Sequence, residues 1–125
     1  MKYGRIGKDS SKNIGNFYEG MAADYLEKQG YRILEKNFRC PKGEIDVIAR
    51  DEEYLCFIEV KFRSSEENGG PEGAVNRKKQ KRLSGAALYY LMQKGYPDTV
   101  PCRFDVVGVT PERILLIKNA FSFKG

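Results

Sequence analysis

Apolar residues recur along the chain with two different periods, and each period predicts a type of element. Between Ile14 and Leu26 they follow the i, i+3, i+4, i+7 spacing of an amphipathic helix, which Gly30 is placed to end in a left-handed cap. A second helix is predicted from about residue 74 to residue 94, and Gly95 stops it. Its apolar face consists of Leu83, Ala86, Ala87, Tyr90 and Leu91.

Short apolar segments, several of them alternating with polar positions, predict five strands. The strands cover residues 31–37, 44–50, 54–62, 103–110 and 114–118. A short polar turn at 51–53 joins the second strand to the third and predicts an antiparallel hairpin, whereas the glycine-rich segment 64–73 predicts a loop. The order α-β-β-β-α-β-β predicts an α/β domain with a mixed central sheet flanked by helices.

Length and composition indicate one ordinary globular domain. The chain has 125 residues, of which 41% are apolar and 31% charged. We expect residues 1–12 to form a flexible basic arm and residues 13–125 to form a single domain. No apolar run approaches the roughly 18 residues of a membrane span, so no membrane partner is expected. Three cysteines without a CxxC pair favour a reducing compartment, and we expect the cytoplasm.

The net charge and the absence of histidine restrict the possible partners and reactions. The 22 lysines and arginines exceed the 17 acidic residues, and the net charge of +5 leans mildly towards polyanionic partners. The chain has no histidine, which excludes Ser–His–Asp and Cys–His catalysis and any histidine-ligated metal. Acid–base work would therefore fall to carboxylates, lysine, tyrosine or metal-bound water.

Three charged residues interrupt the apolar pattern of the predicted hairpin. Alternation puts Asp46 on the same face as Glu44 and Ile48, and puts Glu59 on the same face as Lys61, so that Asp46 and Glu59 can converge across the hairpin. Two carboxylates at one point suit a hard cation such as Mg²⁺ or Mn²⁺, and a nearby lysine can hold a water or neutralise phosphate charge. A buried salt-bridge cluster is the structural alternative for the trio.

The same residues resemble a nuclease pattern. Asp46, followed thirteen residues later by Glu59-Val60-Lys61, resembles the PD-(D/E)xK nuclease superfamily. The longer strings at 43–49 and 57–63 are similar to the bacterial YraN-like family of endonuclease-related proteins, and so are segments of both helices and residues 103–107. One departure is Ile45, which stands where the superfamily motif places proline.

This resemblance implies a restriction-endonuclease-like fold, close to that of archaeal Holliday-junction resolvases. It implies that Asp46 and Glu59 ligate the metal and that Lys61 is the catalytic lysine. It also places Glu19 and Gln80 beside the site as catalytic candidates. An exposed edge carboxylate remains the alternative for Glu19, and a hydrogen bond at the helix start remains the alternative for Gln80.

A run of basic residues opens the second predicted helix. Cations are disfavoured at a helix N-terminus, and a phosphate partner would explain their placement there. We therefore expect this run, extended by Arg63 at the end of the third strand, to bind the nucleic-acid backbone. The run consists of Arg77, Lys78, Lys79, Lys81 and Arg82.

Three functions fit these features. The first is a Mg²⁺- or Mn²⁺-dependent endonuclease that hydrolyses DNA phosphodiesters, with branched or single-stranded DNA as plausible substrates. The second is a catalytically silent nucleic-acid-binding module of a larger DNA-processing complex. The third is a small RNA-associated protein whose acidic cluster is structural. The expected partner is nucleic acid, DNA first, and a homodimer remains open.

Overall fold

A computed structural model describes residues 10–63 and 75–125, without the side chains of residues 10–14 and 16. Helix α1 spans Ser10–Lys28 and helix α2 spans Arg77–Lys94. In the described part of the chain, neither helix combines the length and the apolar character needed to cross a membrane. The strands are β1 (Arg32–Cys40), β2 (Gly43–Asp51), β3 (Tyr54–Phe62), β4 (Cys102–Val109) and β5 (Ile114–Phe121).

The strands form one mixed sheet in chain order, β1-β2-β3-β4-β5. All neighbouring pairs are antiparallel except β3 and β4, which are parallel because α2 connects them as a crossover. The predicted element order and the predicted hairpin between β2 and β3 are both confirmed. The carboxyl ends of β3 and β4 therefore lie together at one edge of the sheet, where open α/β sheets commonly bind ligands.

Each face of the sheet is covered by one helix. On one face α1 contributes Ala22 and Leu26 to a core that also contains Ile58 and Val107. On the other face the predicted apolar side of α2 buries Leu83, Ala86, Ala87 and Tyr90 against a core that contains Phe57 and Phe104. Both faces are thus desolvated, which explains why β3 is apolar along most of its length.

Both helices end as predicted, but their starts differ. Gly30 and Gly95 have positive φ angles of 99° and 75°, the left-handed conformation that favours glycine. Helix α2 begins at Arg77, because the Asn76 side chain caps it by accepting a hydrogen bond from the Lys79 amide at 2.9 Å. Helix α1 begins at Ser10, whereas residues 1–12 were expected to form an arm. Its first turn contains no apolar residue, so the apolar pattern gave no sign of this earlier start.

Several predicted strand limits also shift. Strand β1 continues to Cys40 and β5 to Phe121, each three residues past its predicted end. Polar residues in both extensions hid the pairing from the apolar pattern. Residues 1–9 of the expected arm and the expected loop at 64–73 lie outside the described residues.

The simple alternation predicted for β2 fails next to Asp46. Val47 belongs to the core under α1 and Ile48 to the core under α2, as alternation requires. Ile45, however, belongs to the α2 core with Ile48 instead of lying with Val47. Across the ladder, Asn37 has a φ of 55° and interrupts regular β geometry between two paired positions, which accounts for the local turn of the strand pair.

A second cluster of charged residues, centred on Arg103 of β4, lies in the sheet. Arg103 binds Asp105 through two hydrogen bonds of 3.0 and 2.9 Å and reaches Asp51 at 2.8 Å. Tyr31 donates to Asp105 at 2.7 Å, and Lys118 reaches Asp51 at 3.0 Å. Arg103 and Asp105, which share a strand face, thus tie β4 to β2 and to the residue before β1.

Candidate functional site

Asp46 lies where the pairing of β2 and β3 ends. The paired residues run from Asp51–Tyr54 to Val47–Ile58, and the same register would next place Asp46 opposite Glu59. Instead, a carboxylate oxygen of Asp46 accepts a hydrogen bond of 2.8 Å from the backbone amide of Val60. This bond holds the partly buried carboxylate beside β3, so the predicted convergence of Asp46 and Glu59 takes place at the end of the ladder.

Glu59 is buried and faces two lysines. Its Oε2 lies 2.9 Å from the Nζ of Lys79 and 3.6 Å from the Nζ of Lys61. Lys61 comes from the same strand face as Glu59, as predicted, whereas Lys79 comes from the first turn of α2. The site therefore contains a second cation that belongs to the predicted basic run.

Glu19 reaches the site from α1. Its carboxylate interacts with Asp46 and Asn37, and its buried Oε1 has no hydrogen-bond partner in the described part of the chain. Burial raises the pKa of Glu19 above its ordinary value, and the negative charges of Glu44 and Glu59 add to that effect. The structure thus brings Glu19 to the carboxylates of the hairpin, and it is not merely an exposed edge residue.

The electrostatics of the cluster are those of crowded, desolvated acids. Burial raises the pKa of Asp46 to about 8, and the charges of Glu59 and Glu19 contribute in the same direction, although the Val60 amide opposes them. Burial lowers the pKa of Lys61, helped by the charge of Lys79. Burial opposes the charged form of Lys79 as well, but its hydrogen bond to Glu59 prevails and raises its pKa. An additional cation would relieve the repulsion among the acids.

A cleft of about 350 Å³ opens over this cluster. Its floor contains the two carboxylates of the hairpin, and its wall is the start of α2. The lining residues are Gly43, Glu44, Asp46, Glu59, Lys79, Arg82 and Leu83. Such a cleft places acids at the bottom and cations at the rim, an arrangement suited to a phosphate group bridged to the acids by a cation.

Two predicted candidates have other contacts. Gln80 donates its side-chain N–H to the carbonyl of Val75 at 3.0 Å, the helix-start hydrogen bond left open as its alternative, and it does not line the cleft. Glu44 lines the cleft but is exposed, and it lies 3.6 Å from Arg39. The structure therefore groups Glu44 with the cleft and leaves Gln80 outside its lining.

The basic run presents most of its charge to solvent. Arg77, Lys78, Lys81 and Arg82 are exposed, and only Lys79 turns inward to Glu59. The sequence contained a signal for that difference, because Lys79 lies four residues before Leu83 and so shares the helix's apolar face. Arg63 follows β3, and its amide donates to the carbonyl of Val109.

The residues fit a hard cation only if other ligands complete the site. Among the described residues, no three carboxylate or thiol side chains are already arranged to hold a metal. Mg²⁺, however, is usually held by one or two carboxylates together with water and substrate phosphates. The unpaired Glu19 oxygen and the raised pKa of Asp46 both mark a local deficit of positive charge. Asp46 and Glu59, with Glu19 behind them, therefore fit such an ion.

The fold and the cleft define an α/β protein with a carboxylate–lysine site at the end of a mixed sheet. The chain belongs to the family described as "Uncharacterised protein family UPF0102", whose model matches residues 18–109. That span contains every residue that lines the cleft, as well as Glu19 and Lys61.

Individual members of this family are closely similar over most of the chain. A UPF0102 protein of Lachnoclostridium phytofermentans is 51% identical over 107 residues, which cover 86% of this chain and 91% of the relative. One from Syntrophus aciditrophicus is 53% identical over 111 residues, 86% of this chain and 87% of the relative. One from Thermodesulfovibrio yellowstonii is 48% identical over 110 residues, 86% of this chain and 95% of the relative.

Proposed function

We propose that this protein is a cytoplasmic, Mg²⁺- or Mn²⁺-dependent endonuclease that hydrolyses DNA phosphodiesters. The observation that supports it best is that Asp46 and Glu59 line one cleft, with Lys61 3.6 Å from Glu59 and Glu19 in contact with Asp46. This is the constellation that the resemblance to the PD-(D/E)xK superfamily implies. The element order also agrees with the restriction-endonuclease-like fold of that superfamily, to which archaeal Holliday-junction resolvases are similar.

The proposed metal site consists of Asp46 and Glu59. A divalent cation bound there would supply a water of lowered pKa and would neutralise charge on the phosphate. The chain's part is to hold its two carboxylates apart from bulk water, with Asp46 fixed by the Val60 amide at 2.8 Å. The position of Glu19 allows it to accept a hydrogen bond from a water beside these acids, because its Oε1 has no partner within residues 10–63 and 75–125.

The two lysines have different proposed roles. Lys61 lies 3.6 Å from Glu59, too far for a short hydrogen bond, so its ammonium group is not fully engaged by that carboxylate. We assign to Lys61 the positioning of the attacking water and the stabilisation of charge on the phosphate. Lys79, in direct contact with Glu59 at 2.9 Å, orients that carboxylate.

Exposed cations at the start of α2 would bind the DNA backbone. Arg77, Lys78, Lys81 and Arg82 are exposed, and Arg82 also lines the cleft. Such contacts are independent of base sequence and depend strongly on salt. They would lay the backbone across the rim so that one phosphate enters the cleft.

The test is cleavage of labelled duplex, single-stranded, flap and four-way-junction DNA with Mn²⁺ or Mg²⁺, compared with EDTA. We expect metal-dependent cleavage of at least one substrate, abolished by Asp46→Asn. Asp24→Asn, which removes one carboxylate from the exposed side of α1, is the matched control and should cut like the parent. Absence of cleavage from every substrate, or equal cleavage by both variants, contradicts the proposed active site.

A second candidate is the catalytically silent nucleic-acid-binding module. The contact between Lys79 and Glu59 favours it, because a lysine already neutralises the carboxylate that a metal would use. This candidate predicts that the parent binds DNA through the basic start of α2, that Asp46→Asn binds equally well, and that neither cuts. The cleavage series above, run beside a binding titration, separates the two.

A further inference from the structure

Three aromatic rings form a half-exposed cluster on the α1 side of the sheet. Tyr18 and Phe62 stack with ring centroids 4.1 Å apart and an interplanar angle of 16°. Phe17 meets Tyr18 edge-on at 5.2 Å and 75°. Phe17 is 59% exposed and Phe62 is 37% exposed. We call Phe17, Tyr18 and Phe62 the aromatic platform.

The platform adjoins the proposed active site along two elements. On α1, Tyr18 immediately precedes Glu19, whose carboxylate interacts with Asp46. On β3, Phe62 immediately follows Lys61 and pairs with Val109 at the carboxyl end of β4. Strand geometry puts Phe62 about 10 Å beyond Glu59, a distance that about three stacked nucleotides of one strand would span.

A cation lies beside the platform at the end of β3. Arg63 follows Phe62, and its guanidinium donates to the Phe62 carbonyl at 3.2 Å, so one cation is held at this end of β3. Lys61 and the basic start of α2 belong to the other face of the sheet, on the side of the neighbouring cleft. Exposed aromatic rings beside backbone-binding cations are the combination that binds single-stranded nucleic acids, because every base has a π-face that can stack on a ring. A protein partner would need an apolar surface with fewer cations around it.

We propose that the aromatic platform stacks unpaired nucleobases of the substrate strand. This inference rests on the proposed nuclease function and names its substrate class, which is DNA with unpaired nucleotides next to the cleaved phosphodiester. Bases inside a duplex stack on each other and cannot offer a free face to the platform. Single-stranded DNA and the unpaired arms of flaps should therefore bind better than an intact duplex of equal length.

The variants Phe17→Ala and Phe62→Ala test the platform, each as full-length protein. Affinity is measured by fluorescence anisotropy for a labelled single strand and for its duplex at one salt concentration, without metal so that no cutting occurs. We expect each variant to lose about five- to a hundredfold in affinity for the single strand and less than about twofold for the duplex. Met92→Ala, which removes an apolar side chain 81% exposed near the end of α2, is the matched control and should change neither.

Aromatic replacement and a base-stacking signal distinguish stacking from loss of fold. Phe17→Tyr and Phe62→Tyr keep a ring, so they should retain near-parental affinity for the single strand. A 2-aminopurine in the single strand should lose fluorescence on binding the parent and the tyrosine variants, and lose much less with the alanine variants. Melting curves identify a variant that has unfolded, and its tyrosine counterpart then decides the outcome.

The outcomes also separate this inference from the proposed function. A parent that binds single strands without cutting them, while both alanine variants lose affinity and quenching, leaves the platform supported and the nuclease rejected. A parent that cuts, with unchanged single-strand affinity and unquenched 2-aminopurine for the alanine variants, overturns the platform alone. A parent that neither binds nor cuts any DNA overturns both, and the platform is then a protein-binding surface or a lone apolar patch.

Discussion

At the residue scale, the site is governed by how three crowded carboxylates, Glu59, Asp46 and Glu19, find partners. Glu59 faces Lys79 and Lys61, while Asp46 accepts a hydrogen bond from the Val60 amide. Among the residues that the structure describes, Glu19 has a buried oxygen without a hydrogen-bond partner. Buried charges are retained when they are paired or when they bind something. The incomplete pairing of Asp46 and Glu19 therefore indicates a place for a ligand of positive charge.

Lys61→Ala should reduce cleavage by at least about a hundredfold, the scale of one electrostatic catalytic group, while DNA affinity and melting temperature stay near the parent's. The reason is that Lys79 still neutralises Glu59 at 2.9 Å, so Glu59 stays paired when Lys61 is removed. Single-turnover cleavage with Mn²⁺ and a melting curve measure the two effects, and Lys28→Ala, which removes an exposed lysine at the end of α1, is the matched control. A variant that melts much earlier, from a parent that never cuts, would show that Lys61 is only a structural counter-charge.

Glu19→Gln should stabilise the metal-free protein and weaken its response to metal. The substitution removes a negative charge from beside Asp46, and screening at this partly exposed group limits the gain in unfolding free energy to about 1 kcal/mol or less. Thermal melts with and without Mn²⁺ measure both effects, because an ion that binds only the folded state raises the melting temperature. Glu27→Gln, an exposed acid on the same helix, should behave like the parent. A Glu19→Gln protein that melts earlier without metal would mean that this carboxylate is a stabilising partner.

At the scale of elements, the start of α2 combines a cap with a group of cations. Asn76 caps the helix, and the first turn that follows contains no acidic residue. The unfavourable interaction between these cations and the helix dipole is small, a few tenths of a kcal/mol to about 1 kcal/mol each. An anion held against this end of the helix would reverse it, which is why we assign the exposed members of the run to phosphate binding.

Replacing Arg77, Lys78 and Lys81 together by alanine should weaken DNA binding of every sequence alike. The slope of log affinity against log salt should fall by about 0.7 to 0.9 for each phosphate that the variant no longer neutralises. Anisotropy titrations at several salt concentrations measure the slope. The matched control removes three other exposed cations, Lys28, Arg32 and Lys36, and should change the slope far less. Equal slopes for both triple variants would assign the run to general surface charge.

At the scale of the whole molecule, the cluster around Arg103 holds together the strands that present the site. Arg103 and Asp105 on β4 contact Asp51 at the end of β2, and Tyr31 and Lys118 bring in the start of β1 and β5. Asp105 is fully buried and also accepts a hydrogen bond from the backbone amide of Asn119 at 2.9 Å. Removing one member of such a cluster leaves buried charge without compensation, which costs about 3–5 kcal/mol.

The ion pair between Arg103 and Asp51 should make the free energy of unfolding depend on pH in the acid range. The hydrogen bond from Arg103, with help from Lys118, lowers the pKa of Asp51, so the unfolded chain takes up this proton more readily than the folded one. The resulting stability is present at neutral pH and is lost as the pH falls below the unfolded pKa of about 3.9. Urea unfolding should therefore show Asp51→Asn less stable than the parent at pH 7, with a difference that shrinks below about pH 4. Exposed Asp98→Asn is the control, and a difference independent of pH would contradict the assignment.

The hairpin of β2 and β3 shows which side-chain positions strand alternation predicts correctly and which it does not. Alternation along β3 correctly placed Glu59 and Lys61 on one face, because an extended strand of regular geometry leaves no other arrangement. The same rule failed for Ile45, since the irregular backbone of Asn37 across the ladder turns the strand pair locally. The charge of Lys79 was visible in the sequence, but its ion pair with Glu59 depends on how α2 packs over the sheet.

The amino-acid sequence by itself determined the element order, the apolar faces of both helices, the two glycine-terminated helix ends and the hairpin that brings Asp46 towards Glu59. These follow from local periodicity and local backbone preference, which act within a few residues of each position. Only the tertiary structure decided that Glu19 arrives from α1 with an unpaired oxygen and that Lys79 arrives from α2. It alone stacked Tyr18 on Phe62 at 4.1 Å. Such contacts join residues far apart in the chain, and their partners are chosen by packing across the whole domain.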